Sequence, residues 1–233
     1  MLHAYLIIIA IEQSIAKIAI IVQMNRTTIK LIHELKFFSI AAIVFVAFHM
    51  TLNRSVELWY LPWNLFLAWV PLLIAMYIVT TPLHRYLARG LLIAWLAFLP
   101  NTFYVLTDII HINDQIRFNQ TYDVLTFMIT AVASFLIGLA SLYLIDEKYL
   151  SKLGHDARRA IFVAIAIACG VAIYIGRELR WNSWDLVAHP YQILSDLARI
   201  VTSPETLAQL ALTVLGYTIL ILLTYKIFRR LKS

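Results

Sequence analysis

Long apolar runs, separated by short polar segments, account for most of this chain. Runs of about 20 mostly apolar residues are long enough to cross a bilayer as helices. They fall at roughly 2–23, 36–52, 61–80, 90–110, 122–145, 159–177 and 205–228. The pattern predicts an all-α integral membrane bundle of six or seven transmembrane helices. The first run is the exception, because Glu12 and Lys17 sit near its middle. Met24-Asn25-Arg26 also reads as a natural start, basic and followed by an apolar run. Residues 1–23 therefore read either as a helix or as an upstream extension, and 24–233 as one transmembrane domain. No cleavage signal follows the run at 37–50, so it is expected to be retained.

After the sixth run the pattern changes. His189-Pro190 biases the chain away from helix. Beyond it Ile193, Leu194, Leu197, Ile200 and Val201 keep helical spacing, with Gln192, Ser195, Asp196 and Arg199 opposite. That predicts an amphipathic helix on the membrane surface or capping the bundle. Ser203-Pro204-Glu205 then opens the last span with a capping residue, a proline at the first helical position and an acid in the first turn. Ser134, Gly138 and Ser141 give the fifth span a face of small residues for close helix packing. Asp123 suits the start of that span, and Asn64 and Pro71 mark packing and a kink in the third.

Composition agrees. The chain is 62% hydrophobic and only 14% charged, with a mean hydropathy of +0.81, well outside the range of soluble domains. Cys169 is the single cysteine, which excludes an intrachain disulfide and a multi-cysteine metal site. The formal charge of +6 is no nucleic-acid signal, since the basic residues lie in short loops. Thirteen Lys and Arg residues fall in 24–36, 81–90, 146–160 and the tail, against five in the alternate loops. That split puts the first group and the C-terminus in the cytoplasm and predicts a plasma (inner) membrane protein. Trp59, Trp63, Trp181 and Trp184 fall at the opposite span ends, where indoles prefer the interface.

Two polar stripes interrupt the apolar pattern at that outer side. Asn101, Tyr104, Asp108 and His111 are spaced for one helix face. So are Tyr174, Glu178, Trp181 and Asp185, with Arg177 and Arg180 beside them. Polar groups in a membrane are costly unless paired or functional. Pro100 should break or kink its helix just before the first stripe. Asp108 and His111 suit an ion pair or polar network, acid/base chemistry, or two ligands of a divalent metal, with further ligands from Glu178, Asp185, Asp123 or Asp114. An ion partner for Asp108 is available in Arg177 or Arg180. Arg177 and Arg180 flanked by Trp181 and Trp184 suit an anionic head group, the guanidinium forks holding phosphate or carboxylate and the indoles packing on its apolar part.

The stretch Leu99-Pro100-Asn101-Thr102-Phe103-Tyr104-Val105-Leu106-Thr107-Asp108-Ile109-Ile110-His111 resembles the PN-x-x-Y-x-x-TD-x-x-H signature of a bacterial membrane family, domain of unknown function 1361. Tyr174-Ile175-Gly176-Arg177 with Arg180-Trp181-Asn182-Ser183-Trp184-Asp185 resembles its second signature, and Asn64–Pro71 its early helix. The resemblance spans roughly 37–230. It implies a multi-pass fold and carries no mechanism or cofactor with it.

These readings converge on a site at the extracytoplasmic face. The first expectation is recognition of a membrane lipid, an anionic amphiphile such as a phospholipid or lipid-linked envelope precursor. Whether chemistry follows binding is left open. A transporter or channel-like pathway is the second class, weakened by the lack of a matching line of ionisable residues in the cytoplasmic half. The third is a non-catalytic subunit of a membrane assembly, docking a membrane-protein partner through the 186–201 loop. The single-site reading requires the two stripes to touch.

Overall fold

The computed structural model describes residues 26–54, 56–107, 120–181 and 185–232. Its helices are α1 (Arg26–Asn53), α2 (Tyr60–Thr80), α3 (Arg85–Phe98), the short α4 (Asn101–Tyr104), α5 (Gln120–Ile145), α6 (His155–Glu178), the short α7 (Asp185–Ala188), α8 (Pro190–Thr202) and α9 (Pro204–Lys232). A 3₁₀ turn, Glu57–Trp59, leads into α2, and a π turn, Asp146–Leu150, extends α5. Six of the described helical segments are long and apolar enough to cross a membrane. They follow the runs read from the sequence. The segment 1–23 lies outside the described residues.

The protein is apolar inside and out. Phe37, Ile40, Ile93, Leu212 and Leu223 are exposed on spanning helices, while Leu65, Leu72, Leu99, Phe103, Ile137 and Ile173 fill the core. In water such a rim would be an aggregation surface; against lipid tails it costs nothing. Helix α5 lies at the centre, 67% of its apolar window buried, against 6% for α9. It packs on α1, α2 and α4, while α6 and α9 pair at one side and reach the bundle through α4 and α5.

Small residues set these approaches. A Cβ added at Gly138 would lie 2.9 Å from Phe103 Cε1 and closer still to the Thr102 side chain. One added at Gly170 would lie 2.8 Å from the Val214 backbone of α9. Ser141 accepts a 2.7 Å hydrogen bond from Trp95 Nε1, so the small face of α5 also anchors α3. Pro100 ends α3 as expected, and the chain resumes as α4, with Phe103 and Tyr104 N–H groups bonded to the Pro100 carbonyl.

The amphipathic segment forms α8. It buries Ile193 and Ile200, one seam seven residues apart, against the bundle. Leu194, read from the sequence as part of that face, is exposed. One position further round the helix turns it away from the seam. Pro204 and Glu205 open α9 as expected.

Candidate functional site

The second polar stripe does not continue as a helix face. Helix α4 stops at Tyr104 and the chain tightens to a 3₁₀ turn over 105–107. Helix α6 stops at Glu178, and Arg180 adopts a left-handed backbone, φ +58°. That conformation commonly ends helices and breaks the repeat of three and four. Trp181 and Asp185 therefore follow the helix rather than share its face. Asp108 and His111, with Trp184, lie outside the described residues.

The segments that carry the stripes nevertheless meet. Gly176 presents no side chain beneath the Tyr104 ring; a Cβ there would touch Tyr104 Cε2 at 3.4 Å. One residue on, Arg177 Nη1 donates to the Thr107 carbonyl at 2.8 Å. This ties the last described residue before Asp108 to the end of α6. The Arg177 side chain is 18% exposed, and its Nε lies 3.9 Å from Glu178 Oε1. Asn101 and Tyr104 are half-buried below the junction and neither is free of partners. Trp181 is held from above: its Nε1 donates to Asp196 Oδ2 of α8 at 3.0 Å, and its ring lies 5.8 Å from that of His189. Glu178 and Arg180 are exposed, so the structure brings Arg177 and Trp181 into the junction and leaves those two at its edge. Asp185 is half-buried and engaged.

The fold forms two further polar clusters, of which the sequence marked only Asp123. His49 Nε2 lies 2.6 Å from Asp123 Oδ1, both side chains under one-tenth exposed. Tyr122 beside them donates to the Phe45 carbonyl at 2.9 Å and stacks on the Phe45 and His49 rings. Asp123 is thus more than an acid at a helix start: it joins α5 to α1. The signal was His49, a lone ionisable residue late in an apolar run.

The second lies at the opposite, basic end. Asp146 is fully buried. It accepts hydrogen bonds from Arg158 Nη2 and, at 2.5 Å, from the Tyr225 hydroxyl; Arg229 Nε stands 3.7 Å away. One carboxylate so joins the α5 extension to α6 and α9. An acid in a basic loop was the available signal, and its partners are distant in sequence.

No three potential metal ligands converge among the described residues. Two hydroxyls along α5 are used by the helix itself: Thr126 bonds to the Tyr122 carbonyl and Thr130 to that of Thr126.

No curated protein and no solved structure matches this chain. A family model does, over residues 63–224, which includes both stripes and their junction. The chain belongs to the family described as protein of unknown function (DUF1361).

Proposed function

We propose that the junction of α4 and α6 binds an anionic amphiphile, a phospholipid or lipid-linked envelope precursor, at the extracytoplasmic face of a plasma membrane protein whose C-terminus is cytoplasmic. The observation that carries this reading is Arg177. It is mostly buried at a membrane-facing junction, and among the described residues it bonds a backbone carbonyl, with a carboxylate at 3.9 Å. A guanidinium offers five donors, so such a geometry retains capacity for phosphate or carboxylate. Trp181, fixed by Asp196, supplies a rigid apolar wall with its polar edge satisfied. Asn101 and Tyr104 form the inner end and Glu178, Arg180 and Asp185 the rim, with Trp184 as a further apolar contact for the ligand. Asp108 and His111, next in the chain after the Thr107 contact, supply polar or acid/base groups to the bound head group.

A through-path for transport is less favoured. Between this junction and the basic end the core is filled by Phe103, Ile137, Cys169 and Ile173. A docking role finds some support in Tyr191 and Leu194, exposed on α8 within the 186–201 loop. Native mass spectrometry of gently solubilised protein tests the lead reading, comparing wild type with Asp108→Asn and Arg177→Ala. A lipid or metal carried by wild type and lost from either variant supports a ligand site at the stripes. Identical, empty spectra from folded samples refute it and turn attention to a protein partner.

A further inference from the structure

At the basic end, a cavity of about 450 Å³ opens between the start of α6 and the end of α9. Arg158, Arg159, Lys226, Arg229 and Arg230 line it. Its inner wall is Phe162 and Tyr225, buried rings stacked 4.6 Å apart. Arg159 also heads a shallow, open groove along the surface of α6 alone. It follows Ala160, Val163, Ala164 and Ile167, positions on one face of α6. From Arg159 to Ile167 that face runs about 12 Å toward the middle of the span.

We propose that this cavity and groove bind an anionic glycerophospholipid, its phosphate among the lining cations and one acyl chain along the α6 groove. Charge that only sets topology needs no fixed position and snorkels freely. Here two of the cations are fixed: the buried Asp146 carboxylate bonds Arg158 and stands 3.7 Å from Arg229. A held set of guanidiniums above an apolar wall is a built phosphate site rather than a diffuse positive surface. Even with Asp146 counted and Arg230 engaged, Arg159 and Lys226 leave a surplus for an anion. The groove decides between a lipid and a free anion. Inorganic phosphate would use the basic cavity alone and gain nothing from Val163, Ala164 and Ile167. Asp156 also lines the groove, but it is fully exposed beside His155 and sits at the aqueous end of the helix.

The test is a titration of detergent-purified full-length protein with phosphatidylglycerol and, separately, phosphatidylcholine, read by native mass spectrometry. Wild type is expected to retain phosphatidylglycerol in preference to phosphatidylcholine. Arg159→Gln/Lys226→Gln removes two lining cations that do not touch Asp146, and one bound phosphatidylglycerol should weaken by about tenfold per lost charge-assisted contact. Lys30→Gln/Lys152→Gln removes the same charge outside the cavity and should leave retention unchanged. Ile167→Trp blocks the groove and should also lower retention. Equal losses from both charge-neutral pairs would overturn the proposal in favour of a diffuse potential. So would displacement of the lipid by millimolar inorganic phosphate, which would make the site one for a soluble anion. If the cavity pair fails to fold, Arg159→Gln alone in the same titration carries the same expectations.

Discussion

Asp146 gives the sharpest test of how the basic end is held. The carboxylate is fully buried and is the common acceptor for Arg158 and Tyr225, with Arg229 at 3.7 Å. Breaking a buried ion pair by removing one partner costs about 3–5 kcal/mol. The two directions of breakage are unequal. In Asp146→Asn the orphaned groups are guanidiniums at 17% and 44% exposure, whose stems let them turn to water. In Arg158→Gln the orphan is a carboxylate with no route to solvent, left with the Tyr225 hydroxyl and, at 3.7 Å, Arg229. Asp146→Asn should therefore cost about 2–3 kcal/mol and Arg158→Gln the full range. For a chain of this size that is a fall in Tm of about 5–10 °C for the first and about 10–15 °C for the second. Tyr225→Phe, which removes one hydrogen bond to a charged acceptor, should cost about 1.5–3 kcal/mol. The chain supplies its own probe. Cys169 is the single cysteine and is fully buried, so its reaction with a thiol-reactive dye during heating reports loss of packing. Asp146→Asn melting with wild type, or Arg158→Gln proving the milder change, would refute the reasoning.

The same labelling assay reads three other expectations. Gly138→Val and Gly170→Ala should each lower stability by about 1–3 kcal/mol, because the first meets Thr102 and Phe103 and the second meets rigid α9 backbone. Gly216→Ala, with nothing within 4 Å of the new Cβ, should be neutral or stabilising by up to about 1 kcal/mol. A folded, wild-type-like Gly170→Ala would contradict the close α6–α9 approach. His49→Phe strands the buried Asp123 carboxylate and should cost about 3 kcal/mol, with Asp123→Asn added to it recovering part; simple additivity would show that the two do not interact. Trp181→Phe removes the tether to Asp196 and should raise hydrogen exchange across 190–202 while leaving the global melting point nearly unchanged. Unaltered exchange there would mean that Ile193 and Ile200 alone hold α8.

The legible and illegible parts of this protein divide by the range of the physics that decides them. Spans are legible because lipid demands about 20 apolar residues in a row, a local property. The break at Pro100 is equally local, since the missing N–H is a feature of the residue. The small face of α5 was readable from Ser134, Gly138 and Ser141, although Thr102, Phe103 and Trp95 as its counterparts were not. Spacing grouped each stripe without showing that the two segments approach, as Thr107 on Arg177 and Gly176 under Tyr104 now do. It also misled. A periodic pattern says nothing about where a helix stops, and α6 stops at Glu178, so Trp181 and Asp185 reach their places by a turn. Asp146 and Asp123 were illegible for a related reason. Their partners lie 12 to 83 residues away, and only the folded bundle decides which acid is buried and which is solvated.

Helix α6 links the two proposed anion sites and also argues that they are separate. Arg159 and Arg177 lie at its two ends, 18 residues apart in the chain, which is about 27 Å along a helix. The hydrocarbon core of a bilayer is about 30 Å thick. Each arginine thus stands close to one boundary of the apolar layer, and the pair fixes how deep α6 sits. A single phospholipid reaches only about half that thickness, so one molecule cannot serve both ends. Between them Cys169, Gly170 and Ile173 are buried against α9 and the core, with no continuous polar route along the helix. Occupancy at one end is therefore expected to leave affinity at the other unchanged. A lipid titration in which Arg159→Gln also abolished binding lost in Arg177→Ala would show that the two ends are coupled through α6, and would replace two binding sites with one two-ended device.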